Sequence, residues 1–189
     1  KTLAELNVSR AARVRQIEAN IERWRTLPSD LGDRYVLVNV PAFQLELVED
    51  GRVSLAMKIV AGKEYSATPS FSARIERVVL NPPWYVPPRI SARELWPKQR
   101  RDPSYFAREH IRVTPGGLRQ DPGPWCALGR VKFDMPNRYN VYLHDTPAKS
   151  LFATDVRAFS HGCVRIERPV DLAVALTGSA CPVAIAAGD

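Results

Sequence analysis

The sequence predicts a mainly β fold of the α+β class, a sandwich- or barrel-like sheet with one helix ahead of it. Three features point there. From Arg34 onward hydrophobic residues recur with period two, turn-forming Gly, Pro, Asn and Asp pairs separate the runs, and strong helical signals stand only near the two ends. With 189 residues, 45% of them hydrophobic and 25% charged, the chain suffices for one domain with a real core plus appendages.

Ser9 suits the N-cap of a helix running to about Arg25, on which Val14, Ile17, Ile21 and Trp24 share one face. Pro28 follows, as expected past a helix end. Because the chain opens on Lys1, residues 1–30 are expected to be the remnant of a preceding region in a processed or shortened protein. Tyr35 to Val40 then reads as a buried strand, and Phe43, Leu45 and Leu47 alternate with Gln44 and Glu46. Asp50-Gly51 is a hairpin signal leading into Val53–Val60. Ile75–Leu80 is a further strand. The run Asn81 to Pro88 is too rich in proline for a central strand and is expected to form an extended wall. Residues from about Ser91 to Arg112 look partly helical, with breaks at Pro97 and Pro103. Turns at Pro115-Gly116-Gly117 and Asp121 to Pro124 flank Leu118-Arg119-Gln120. Strands resume at Ala127–Phe133 and Tyr139–His144. A last helix begins at Pro169, carries Asp171 at its positive end and stops at Gly178.

The net charge of +7 is concentrated between Arg89 and Lys132, where ten basic residues face four acidic ones. An anionic partner fits such a segment. No helix-turn-helix, RNP or zinc-finger pattern supports nucleic acid, which is not expected as a partner, and a carboxylate-rich polymer fits the charge equally well. No apolar run reaches the ~18–20 residues that span a bilayer.

Chemistry concentrates in Ser160-His161-Gly162-Cys163-Val164-Arg165, with His144 upstream. A thiol is a strong nucleophile only as thiolate, which a nearby base or cation must favour. In the strand ending at His144, Val141 and Leu143 fall on one face and Tyr142 and His144 on the other. Fifteen residues separate His144 from Ser160, enough for a loop that returns Cys163 to the imidazole. Gly162 clears space beside the sulfur, and N–H groups around Gly162 and Cys163 suit an oxyanion. The bland alternatives are a buried structural thiol and a hydrogen-bonded structural histidine. Zinc held by His144, His161 and Cys163 is a third reading, but the His-x-Cys spacing departs from usual zinc patterns. Neither a metal nor a cofactor is expected. Three cysteines cannot all pair; with Cys163 reactive, Cys126 and Cys181 remain for a disulfide that spacing alone does not support.

The His144 to Arg165 arrangement resembles the signature of the L,D-transpeptidase catalytic domain, the YkuD family. Leu118-Arg119-Gln120, Pro122-Gly123-Pro124, Ala127 to Phe133, Pro136-Asn137 and His144-Asp145-Thr146-Pro147 are similar to the larger Gram-negative murein enzymes of that family. So are Arg23-Trp24, Leu27-Pro28, Asp33-Arg34-Tyr35 and the Asn81–Pro88 run, and the likeness extends from Ser9 to Gly178. The resemblance implies a YkuD-like β-sandwich or barrel over 31–189, with a partly helical lid at about 84–120. It implies Cys163 as nucleophile, His144 as its base, and Asp145 as the group that orients the imidazole, often through a main-chain carbonyl. Ser160, His161 and Gly162 would shape the pocket and oxyanion hole. Arg165 would take a substrate carboxylate, with a structural ion pair as its alternative, and Tyr142, Trp84 and Lys132 are candidates for the pocket wall. The implied partners are peptidoglycan stem peptides, a tetrapeptide donor and an amine acceptor, with carbapenems acylating the same sulfur. The implied location is the periplasm. Hydrolysis of the same thioester, protein–murein linkage, and a non-catalytic wall-binding module are the rival functions. Two departures stand out: Cys126 replaces an expected asparagine, and the stretch from His110 to Leu118 is short.

Overall fold

The computed structural model describes residues 7–25 and 30–178; Pro28 and Cys181, and with Cys181 the proposed disulfide, lie outside them. Helix α1 (Arg10–Arg25) begins where the sequence places it. The Ser9 hydroxyl accepts from the Ala12 N–H at 3.3 Å, satisfying one of the unpaired donors of the first turn. Its apolar face of Val14, Ile17, Ile21 and Trp24 is exposed.

The main sheet starts as a meander of β1 (Arg34–Asn39), β2 (Gln44–Glu49) and β3 (Arg52–Gly62). Glu49 pairs with Arg52 across Asp50-Gly51, both at positive φ (48° and 72°), the two-residue turn whose twist matches that of paired strands. Later strands are β4 (Arg77–Leu80), β8 (Val131–Asp134), β9 (Leu143–His144), β10 (Ala158–Ser160) and β11 (Val164–Ile166). The spatial order is β1-β2-β3-β11-β9-β8-β4, with β10 added parallel to the end of β3. This path does not close on itself, so the expected barrel alternative is not formed. Leu45, Leu47, Ile59, Val131, Phe133 and Ile166 are fully buried on one side of the sheet. They are covered by Leu172 and Ala173 of the C-terminal helix (Pro169–Thr177), which stops at Gly178 in the left-handed conformation (φ 65°).

The strand expected at Ile75–Leu80 begins only at Arg77, and two others are also shorter than the sequence suggests. Residues 127–130 are turn rather than strand, because Gly129 turns the chain at φ 60°. Residues 139–141 leave the ladder because Asn137 captures their backbone: its Oδ1 accepts from Tyr139 and Val141 N–H, and its Nδ2 donates to the Val141 carbonyl at 2.7 Å.

Between β4 and β8 lies a separate small subdomain. The extended wall contains β5 (Trp84–Tyr85), the edge of a three-stranded sheet ordered β5-β7-β6. Strands β6 (Ile111–Thr114) and β7 (Gly117–Gln120) form a tight hairpin over the short His110–Leu118 stretch. Helical residues precede it: α2 (Pro88–Ile90), a π turn (Ser91–Leu95), α3 (Trp96–Arg101) and α4 (Tyr105–Arg108). The expected break at Pro97 does not occur. Proline lacks an N–H and its ring crowds the carbonyl four residues earlier; the π turn immediately upstream widens the helix there. The break at Pro103 does occur. Val86, Leu95, Phe106, Ile111 and Leu118 form this subdomain's own core. The C-terminal helix is hereafter α5.

Candidate active site

Register brings the polar groups to one surface. Strands β9 and β11 run parallel with Arg165 opposite His144, and β8 sets Lys132 opposite His144 on the other side. Side chains alternate along strands, so Lys132, His144 and Arg165 share a face while Leu143, Val164, Phe133 and Ile166 fill the core behind it. One step earlier, Val164 N–H donates to the Tyr142 carbonyl at 3.1 Å, which carries Cys163 alongside Tyr142. The Tyr142 side chain stands near the Cys163 thiol and Trp84 of β5, and the thiol itself points toward the Asn140 carbonyl at 3.8 Å. The Tyr142 ring lies 5.5 Å from the His144 ring and beneath the Lys132 ammonium at 4.5 Å. The structure thus gathers Cys163, His144, Tyr142, Trp84, Lys132 and Arg165.

His144 is 4% exposed, and its Nδ1 lies 2.5 Å from the Asp145 carbonyl oxygen. A carbonyl only accepts, so Nδ1 carries the proton and Nε2 keeps its lone pair. Burial, then the charges of Arg165 and Lys132, pull the imidazole down to about 3, against the opposing influence of Asp145. Burial pushes the Cys163 thiol up, outweighing the favourable influence of Tyr142, Lys132 and Arg165. Near neutral pH both groups are therefore uncharged at rest.

The Asp145 carboxylate turns away from the ring. Its Oδ2 accepts from Arg130 N–H at 2.9 Å and its Oδ1 from Lys149 Nζ at 2.6 Å. Gly129 makes this possible: a Cβ there would collide with the carboxylate. The Asp145 contact with the imidazole is thus made by its main-chain carbonyl and not by its carboxylate.

The loop before the sulfur is clamped from several sides. Ser160 Oγ donates to the Cys163 carbonyl at 2.5 Å and accepts from Gly162 N–H at 3.1 Å. Gly162, at φ 119°, offers its carbonyl to Thr68 Oγ1 at 2.8 Å, and that hydroxyl accepts from Gly62 N–H at 3.0 Å. With Gly162 N–H committed to Ser160, the Cys163 N–H is the remaining backbone donor beside the sulfur. His161 points outward, and its Nε2 meets Glu94 Oε1 of the π turn at 2.6 Å, tying the loop to the small subdomain.

The two cations of the face differ. Lys132 is paired with Asp134 at 2.6 Å. Arg165 has no ion-pair partner among the described residues, and its Nε is buried without a hydrogen bond. The structural ion pair weighed for Arg165 is therefore not found. Glu94, Thr68, Gly129 and Lys149 were not singled out in the sequence; only Gly129, a glycine just before a strand, carried any signal there. Cys126 is fully buried with its thiol toward the Pro82 carbonyl at 3.4 Å. Among the described residues no group of three or more His, Cys, Asp or Glu side chains is placed to hold a metal ion.

Residues 33–185 match the family model described as the L,D-transpeptidase catalytic domain, YkuD. The chain belongs to this family. A curated Haemophilus influenzae protein, provisionally named an L,D-transpeptidase, is 32% identical over 179 residues. The match covers 84% of this chain and 36% of that protein, so the chain spans little more than a third of its relative's length. Solved structures are more distant. The catalytic domain of the E. faecium L,D-transpeptidase acylated by ertapenem is 16% identical with a TM-score of 0.45, covering 73% of this chain and 84% of that one. L,D-transpeptidase 3 from Mycobacterium tuberculosis, in complex with a faropenem-derived adduct, is 16% identical with a TM-score of 0.43, covering 72% and 52%.

Proposed function

We propose that this domain is a peptidoglycan L,D-transpeptidase that forms 3→3 cross-links through a Cys163 thioester. The observation that carries this reading is a thiol one residue ahead of β11 and an imidazole on β9, the parallel neighbour, brought to one face, with Nε2 as the imidazole's basic atom. As Cys163 Sγ attacks the carbonyl of the third stem residue, His144 Nε2 takes the thiol proton. The Cys163 N–H faces the developing oxyanion. The C–N bond to the terminal D-Ala then breaks, and His144 returns the proton to the departing amine. An amine of a second stem attacks the thioester, His144 accepts its proton, and the C–S bond breaks to regenerate the thiol. Since thiol and imidazole are both neutral at rest, proton transfer accompanies attack rather than preceding it. The thioester preserves acyl energy for the acceptor.

Residues 84–120 would serve as a lid over the sulfur, tethered by Glu94 to His161, with Trp84 near Tyr142. The excess of basic residues between Arg89 and Lys132 suits acidic stems. Among the described residues no helix is long and apolar enough to cross a membrane. The periplasm is the location proposed with this reading, since murein would be the substrate.

The test is muropeptide product analysis with a tetrapeptide donor, alone and with an amine acceptor. Wild-type protein should release D-Ala and yield the cross-linked dimer with acceptor, while Cys163→Ala yields neither. A folded Cys163→Ala variant that still cross-links would overturn the assignment. Tripeptide without dimer, acceptor present, would redirect it to hydrolysis.

A further inference from the structure

The unpartnered Arg165 stands directly across a parallel rung from His144. The groups facing the imidazole are few: Tyr142 just ahead of β9, the Asp145 carbonyl at Nδ1, Lys132 from β8, and Arg165 from β11, with Cys163 one residue ahead of β11 on the same face. Lys132 already has Asp134 beside it, and the Asp145 carboxylate is occupied by Lys149 and the Arg130 N–H. Arg165 is the cation left without a countercharge on this face, among the described residues. A partly buried guanidinium whose Nε is buried without a partner keeps donors in reserve, and guanidinium binds carboxylates bidentately.

Resting on the acyl-transfer reading above, we propose that Arg165 is a positioning residue that couples substrate binding to activation of the thiol: a donor carboxylate docks on its guanidinium, cancels the positive field at His144, and so lets the imidazole accept the Cys163 proton. Without substrate the cation opposes imidazolium and the thiol stays protonated, which guards the sulfur against adventitious electrophiles. The proton moves from Sγ to Nε2 and no other species is consumed. The low proton affinity of the buried imidazole agrees with this arrangement, Arg165 being the largest charge acting on it.

The C2 protons of the three histidines, followed by NMR from about pH 2.5 to 8, test this on the intact domain. In wild-type protein the His144 signal should stay flat over most of that range. N-acetyl-D-alanine, a carboxylate probe for the end of a stem, should raise its midpoint by about one pH unit or more. The neutral N-acetyl-D-alaninamide should leave it unmoved. Arg165→Gln should raise the midpoint without any probe and abolish the probe's effect, whereas Arg165→Lys should keep the low midpoint. A His144 midpoint indifferent both to the carboxylate probe and to loss of the Arg165 charge would overturn the coupling. The wild-type titration decides the matter even where a variant fails to fold. Retained cross-linking with an unresponsive His144 would sink this inference alone; a Cys163→Ala variant that still cross-links would sink the acyl-transfer reading whatever His144 does.

Discussion

The two faces of β9 and β11 are built from the same few residues and do opposite things. Leu143, Val164 and Ile166 point back into a closed core with Phe133, while Tyr142, His144, Cys163 and Arg165 point forward onto a polar surface. Each strand changes role from one residue to the next. A register slip of one position would send His144 into the core and Leu143 into the site, so the packing of the rear face specifies the geometry of the front. The rear is where folding energy resides; the front tolerates buried, unpaired charge because the rear holds it in place.

That contrast predicts separable effects. The largest is on the rear: Phe133→Ala, at a fully buried position, should lower unfolding free energy by roughly 3–5 kcal/mol in denaturant titration. A loss below about 1 kcal/mol would mean that the sheet is not anchored there. On the front, His144→Ala should leave a folded domain whose Cys163 acylates about 100-fold slower, roughly 2.7 kcal/mol of barrier. Unchanged acylation kinetics would remove His144 from the role of base. Gly129→Ala acts at the junction. Positive φ alone should make it cost about 1–2 kcal/mol, with more from the collision with Asp145, and it should slow acylation by disturbing the carbonyl that holds His144.

A pH effect comes next. His144 is held near 3 in the folded protein against 6.5 for the ordinary group, so the native state binds fewer protons than the unfolded chain. Stability from this group is complete above about pH 6.5 and is lost as the pH falls toward 3, by up to about 1.4 kcal/mol per pH unit. Denaturant titrations from pH 7 to 4.5 should show that slope, and His144→Gln should flatten it. An identical slope in the variant would assign the acid sensitivity to other groups. Smallest is Glu94→Gln: its pair with His161 is partly exposed, so it should cost about 0.5 kcal/mol or less in stability and act instead on substrate affinity. An altered turnover rate with unchanged affinity would argue against Glu94 as a tether.

Much of this was legible in the residues because local chemistry decided it. Asp50-Gly51 supplied both positive φ angles its turn requires, Pro169 and Gly178 bracketed α5, and alternation put Tyr142 and His144 on one face. What could not be read depended on distant or competing contacts. Asn137 took the backbone of residues 139–141 from the ladder, a competition that alternation does not register. The π turn before Pro97 absorbed a residue that by itself marks a break. Glu94 reaches His161 across 67 residues, and the isolation of Arg165 is a property of the assembled face, invisible in any window of sequence.

Intact-protein mass after incubation with a carbapenem tests the central claim most directly. Wild-type protein should gain the mass of one drug molecule and folded Cys163→Ala none. An equal adduct on Cys163→Ala, or none on the folded wild-type protein, would contradict a nucleophilic sulfur at this position.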